Sequence, residues 1–465
     1  MSIERIATRI RRRVDQGGED GFSLVEVVVA MMVFALLMIG MSYSLVTMQR
    51  LSKDSTLRQT AIGLAKAELD RLNQKANPLD LTSSSSSVTG SNGTVYTIDR
   101  TVQWVPASGT IAACGTGGGN LLYKNVSIQV TWPGMTTITK PVQLDTNISP
   151  SDRVNDPSMG TVVVAVLGAD GLARQGVTVT ITNKATGVAL ANVPATDIDG
   201  CSYVLKVPPA NYSIKINKTG FITSTTMTLS STTGPAIDRT VEAGATASAK
   251  LDFDAAMTLN RAYASDKPSG NVVMPSNLDT SYFYSGGVYS ATDSGVLSSS
   301  NTTAVKLFPY PDGYTVAAGK VQAATETTAS CLSPDPQAWS GGAVNGQNKG
   351  DGARPASASA DPGGSASVAI PMGYVKVNNP STVTKIVATS ASSNYPGDPG
   401  CLNPMSYSFS VSGGSSVLAL PYGTWKLTGY TASLIQTALS NLTLPTGLGA
   451  VAAGQTITLD PRPNQ

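Results

Sequence analysis

The sequence predicts an α+β protein: one long N-terminal helix with a small antiparallel sheet, followed by tandem all-β sandwich domains. Three observations carry this expectation. Phe22 to Met41 is apolar apart from Ser23, Glu26 and Gly40, and no proline interrupts the chain from there to Leu72. From Thr94 to Leu144 apolar residues recur at every second position, the period of a half-buried strand. Glycine (45) and proline (27) are abundant and charged residues make up only 13%, a balance that suits short strands joined by many turns.

A chain of 465 residues has room for about three or four domains. The sequence divides into a leader (1–21), a helix (22–76), a β head (77–150), a β-sandwich (157–254), a β-domain (255–365) and a C-terminal β-domain (366–465).

The leader carries Arg5, Arg9, Arg11, Arg12 and Arg13 and ends in Gly17-Gly18-Glu19-Asp20-Gly21. Roughly 20 apolar residues suffice to cross the hydrocarbon core as a helix. Arginines before such a segment hold the leader on the cytoplasmic side. No other apolar stretch approaches this length, so one crossing is expected, with most of the chain outside. A secretory signal would carry a small-residue cleavage site after its apolar region. Ser42-Tyr43-Ser44-Leu45-Val46-Thr47-Met48 offers none, and the sharp break lies instead at Gly21-Phe22. Glu26 needs a reason, because a carboxylate at the centre of a membrane helix costs about 2.5–3.5 kcal/mol and less near its end. One reading is a signal anchor with an incidental glutamate.

The pattern Gly21-Phe22-Ser23-Leu24-Val25-Glu26 resembles the processing site of type IV pilins and type II secretion pseudopilins. The resemblance implies that a prepilin peptidase of the inner membrane cuts between Gly21 and Phe22 and methylates Phe22. It implies further that Glu26 meets the amino terminus of a neighbouring subunit during assembly on an inner-membrane platform. The partners it implies are other pilin subunits in a helical filament. The protein would sit in the cytoplasmic membrane before assembly and on the cell surface after it.

The helix is expected to continue beyond the membrane, with Leu57, Ala61, Leu64, Ala65, Glu68 and Leu72 at helical spacing. RQTAIGLAKAELDRL is similar to the amphipathic second half of the pilin helix. Gly40 is a candidate for local unwinding, and Asn77-Pro78 marks the end. Val126, Ile128, Val130 and Trp132 alternate with polar residues, and YKNVSIQVTWPG resembles the head of minor pilins. Trp104 and Trp132 read as core, and SPSDRVNDP as a linker.

From Gly160, the alternations Val162-Val164-Val166 and Val177-Val179-Ile181 predict paired strands. Together with TDIDG and VPPANYSIKI they resemble carboxypeptidase regulatory-like and collagen-adhesin B-type β-sandwiches, which are spacers or binding modules. Asp197 and Asp199 would serve either a turn or calcium, and the turn is preferred because the loop lacks a later glutamate. Strands are expected at Ala304–Pro309, Tyr314–Ala318, Ala366–Val377, Thr382–Ala388, Tyr407–Val411, Ser416–Leu420 and Trp425–Thr428, with a loop or linker from Ser340 to Gly364. Tyr282-Phe283-Tyr284 and Tyr289 read as sandwich core in preference to a contact surface.

Cys114, Cys201, Cys331 and Cys401 form no CxxC pair. Exported, they suggest two disulfides with three connectivities, and adjacency along the chain favours Cys114–Cys201 and Cys331–Cys401; four buried thiols are the alternative. Histidine is absent, which removes His-based nucleophile systems and His-containing zinc sites. With Lys+Arg 32 against Asp+Glu 30, no basic excess points to nucleic acid. The expectation is a structural subunit, not an enzyme, without catalytic residues, metal or cofactor. Its alternatives are a type II secretion minor pseudopilin, a membrane-anchored adhesin with a surface ligand, or an exported hydrolase.

Overall fold

The computed structural model describes residues 23–74, 81–91, 93–107, 113–116, 120–135, 140–149, 156–224, 236–268, 271–292, 302–444, 449–452 and 454–464. One long helix is followed by many short strands in several sheets, an α+β chain. It forms two compact units: Met1–Val102 with Asn125–Ile148, and Gln103–Lys124 with Ser149–Gln465.

In the first unit, α1 (Leu24–Asn73) is a single helix of 50 residues. Glu26 in its first turn and Arg71 in its last complement the helix dipole. Gly40 stays helical, against the expected unwinding. A glycine costs about 1 kcal/mol in a helix interior, too little to break a helix this long. The sheet orders β1 (Ser84–Thr89), β2 (Val95–Pro106), β3 (Leu121–Thr131) and β4 (Val142–Ile148) side by side. Ala61, Ala65 and Leu72 of α1 pack with Tyr96, Ile98, Val126, Ile128, Val130 and Trp132. Glu68 ties helix to sheet by pairing with Arg100 of β2, whose Nε also donates to Thr82 O at 2.8 Å.

In the second unit, β5 (Gly160–Leu167), β6 (Thr178–Asn183), β7 (Cys201–Val207), β8 (Ala210–Asn217), β9 (Phe221–Thr223), β10 (Ile237–Val241) and β11 (Thr246–Ala255) make two sheets, ordered β7-β5-β11-β9 and β10-β8-β6. The β5–β11 pair is parallel. Val162, Val164 and Val166 meet Val177, Val179, Ile181, Ile214 and Phe253 in the core. Val163 and Ala165, on the other face, are equally buried. The unbroken run Val162 to Leu167 is therefore the signature of a strand covered on both sides, not of simple alternation.

Beyond β11, a single core runs from Met257 to Leu459. The strand Met257–Tyr263 lies between Thr302–Leu307 and Ser365–Ile370, pairing in parallel with the latter. The division expected near residue 365 thus falls inside this core, and Ser340–Gly364 is not a linker. That tract contains a hairpin, Gly342–Val344 with Gln347–Lys349. Its Asn345-Gly346 turn has φ of 48° and 79°, the tight hairpin turn that Asn-Gly favours. The expected strand Ala366–Val377 is two, Ser365–Ile370 and Gly373–Asn379, because Pro371 has no N–H to continue a ladder.

Candidate assembly site

Two of the residues singled out in the sequence, Gly21 and Phe22, lie outside the described residues. Glu26 is in the first turn of α1, beside Ser23, whose carbonyl accepts from Val27 N at 3.1 Å but whose side chain does not cap the helix. No charged residue separates Glu26 from Arg50. Every large apolar side chain from Leu24 to Leu51 is exposed, from 39% at Val27 to 82% at Leu24. The helix rises about 1.5 Å per residue, so this apolar stretch exceeds the roughly 30 Å of a hydrocarbon core. It is long and apolar enough to cross a membrane. Tyr43 is 76% exposed, at a spacing from Leu24 that fits an aromatic at the far interface. Leu45, Val46, Met48 and Leu51 follow it, still apolar and uncovered.

The four cysteines are joined as Cys114–Cys201 and Cys331–Cys401. Cys114, at φ 58°, sits in a short excursion of the second unit that also buries Trp104 and Leu121. Lys124 Nζ lies 5.2 Å from the Trp104 ring centroid and 5.5 Å from that of Tyr203. Asn120 Nδ2 donates to Gly244 O at 2.9 Å. This excursion covers the second face of β5. The buried lysine was not legible in advance, since its neighbours Tyr123 and Asn125 carry no distinguishing pattern.

Asp197 Oδ1 accepts from Asp199 N at 3.0 Å and from Cys201 N at 2.9 Å, an Asx turn. Burial pushes the Asp197 carboxyl above its ordinary value, the Asp199 charge adds to this, and the two backbone N–H groups oppose it. Among the described residues no group of three or more His, Cys, Asp or Glu side chains gathers to hold a metal. Tyr282 and Phe283 are buried, and Tyr284 and Tyr289 pack half-buried against the same core.

Two ion pairs around buried carboxylates, Asp254 and Asp460, were not among the sequence expectations. Arg174 grips Asp254 through Nε and Nη2 at 2.8 and 2.7 Å. Arg462 and Asp460 are both fully buried, bonded at 2.9 and 3.0 Å, and Arg462 also donates to the Ser340 and Pro396 carbonyls. An Asp-Pro-Arg signature near the chain's end was the available signal.

Residues 18–42 match the model of the prokaryotic N-terminal methylation motif. No curated protein matches the sequence. Among solved structures, the chain is similar to the Bacillus anthracis TIE protein at 15% identity, covering 80% of this chain and 74% of that one, with a TM-score of 0.19. A streptococcal ancillary pilin matches at 14% identity over 43% and 67%, TM-score 0.18. BcpA, the major pilin subunit of Bacillus cereus, matches at 10% identity over 61% and 94%, TM-score 0.18. Scores this low assign neither fold nor function.

Proposed function

We propose that this chain is a minor pilin-type subunit of a type IV pilus, a structural protein and not an enzyme. A prepilin peptidase cuts it between Gly21 and Phe22 and methylates Phe22. It enters the filament from the cytoplasmic membrane through α1, on an inner-membrane assembly platform, and carries its β-domains to the cell surface. A tail this large is best accommodated at or near the filament tip, where adhesion to a surface ligand is its task. The strands from Gly160 to Ala255 serve there as a carboxypeptidase regulatory-like spacer or binding module.

The observation that carries this reading is the pairing of one carboxylate, Glu26, with an exposed apolar helix that has no other charge before Arg50. The match to the methylation motif, residues 18–42, covers Glu26 and the first part of this stretch. Cleavage before Phe22 would create an ammonium four positions from Glu26 in the sequence, and offer the same group to the next subunit. A carboxylate at a membrane helix end is tolerable when such a partner neutralises it.

The test is intact mass and amino-terminal sequencing of the membrane-extracted protein, with and without the peptidase. A chain that begins at methylated Phe22 only when the peptidase is present supports the reading. A chain that keeps Met1 in both conditions sinks it and leaves a membrane-anchored surface protein.

A further inference from the structure

Strand β1 is the outermost strand of the first unit's sheet. Its sequence, Ser84-Ser85-Ser86-Ser87-Val88-Thr89, buries almost nothing: Ser85 through Thr89 are exposed on both faces. Such a strand gains little from hydrophobic burial. It is held instead by its ladder to β2, by Ser83 Oγ accepting from Val102 N at 2.9 Å, and by Ser85 Oγ donating to Asp99 Oδ1 at 2.6 Å.

The register fixes which backbone groups point outward. It runs without a bulge from Ser84 opposite Arg100 to Thr89 opposite Val95, and Gly90 N then donates to Thr94 O at 2.9 Å. Residues of an antiparallel strand alternate between pointing both backbone groups at the partner and pointing both away. Gly90 points at β2, so Val88, Ser86 and Ser84 do as well. Ser85, Ser87 and Thr89 therefore aim their N–H and C=O groups away from the sheet. Among the described residues no strand lies beyond them.

Proteins commonly blunt such an edge with lysine, proline, a bulge or a covering element. Among the described residues none of these devices is present at β1, and no charged residue occurs between Asp80 and Asp99. The opposite edge differs: β4 carries the exposed Asp145 in its middle, and two such strands face to face would bring carboxylates together. We propose that β1 is the edge through which two copies of this chain associate, β1 against β1 and antiparallel. Centred on Ser87, the pairing sets Ser85, Ser87 and Thr89 of one copy opposite Thr89, Ser87 and Ser85 of the other. No charge is buried, and the hydroxyls can bond across the strands.

A six-residue contact falls well short of the roughly 1,000 Å² that a stable free dimer buries. It works between copies that their helices already hold side by side, where tethering raises the effective concentration to about the millimolar range. The inference goes beyond the pilus reading and does not need it. Two uncleaved chains in one bilayer suffice, so the two can fail separately.

The experiment uses the full chain in phosphatidylcholine vesicles at rising protein-to-lipid ratio, without peptidase. The native cysteines are paired, so S87C introduces a single thiol. Oxidation should join S87C into a dimer at least 10-fold faster than T101C, whose thiol would sit on an exposed position of β2. S87P removes one outward N–H and leaves the ladder to β2 intact. S87P and S87K should abolish the protection from hydrogen exchange that the Ser85 and Thr89 amides gain as the ratio rises. Equal rates for the two cysteine variants, or undiminished protection in S87P, overturn the proposal. Protection already complete in chains too dilute to meet would assign the edge to another partner and overturn it too.

Discussion

The first half of α1 and the core beyond Met257 treat their apolar residues in opposite ways. From Leu24 to Leu51 the apolar side chains are uncovered, so this segment has no stable resting place in water as a lone chain. From Met257 to Leu459 most of them are enclosed in one core, with exceptions such as Leu402 and Leu434, and even two charges, Asp460 and Arg462, are fully buried. The helix depends on a membrane or on neighbours, whereas the tail is complete in itself. An exposed apolar surface reports association, and a buried polar one reports how a self-contained fold is locked.

The sharpest way to break this comparison is to open the lock. Arg462 holds Asp460 and two carbonyls, of Ser340 and Pro396, and lies 5.4 Å from the Trp339 ring centroid. R462A would leave a carboxylate buried without its partner, which costs about 3–5 kcal/mol. Thermal unfolding of the detergent-solubilised chain should show the tail melting well below the parent. An unchanged melting temperature would mean that the C-terminal segment is not a lock at all.

The complementary substitution is in the helix. L51S replaces a side chain that is 65% exposed, so the isolated subunit should lose no more than about 0.5 kcal/mol. On the proposed pilus reading, incorporation into filaments, measured as the fraction sedimenting with sheared pili, should fall. A large loss of subunit stability would show that Leu51 packs within its own chain and would blur the contrast.

The same contrast explains what the sequence disclosed. Periodicity is local, so the helix, the alternation of Val126, Ile128 and Val130, and several tail strands, such as those around Tyr407–Val411 and Trp425–Thr428, could be read directly. So could the methylation motif that residues 18–42 match, whose residues are consecutive. What escaped depends on contacts between residues far apart in the chain. The burial of both faces of β5 requires the excursion that holds Cys114. The fusion of two expected tail domains rests on the parallel pairing of Met257–Tyr263 with Ser365–Ile370, more than one hundred residues apart. Lys124 beneath Trp104 and Tyr203, and Arg174 on Asp254, are likewise side chains whose partners no window of sequence contains. Asn345-Gly346 was different: its hairpin signal was local, but the glycine- and serine-rich surroundings masked it.

The smallest effect expected concerns pH, and here the two units should move in opposite directions. Burial alone would raise the Glu68 carboxyl, but hydrogen bonds from Arg71 and Arg100, with their charges, outweigh it and hold the group below its ordinary value of 4.5. A depressed folded value stabilises the fold fully above 4.5, and that contribution is lost as pH falls through the folded value. Asp197 has the reverse sign. Its carboxyl is raised above 3.8 by burial, so its contribution is fully present below 3.8 and lost as pH rises through the folded value. On acidification, amide exchange should therefore quicken between Ala61 and Leu72, relative to its intrinsic rate, while the Asp197–Cys201 turn holds or tightens. E68Q should remove the acid-dependent part of the first response and leave the second untouched, because each carboxyl titrates within its own unit. If E68Q leaves the acid response of the helix intact, the Glu68–Arg100 pair does not join helix to sheet, and the Ala61–Ala65–Leu72 apolar contact carries that junction alone.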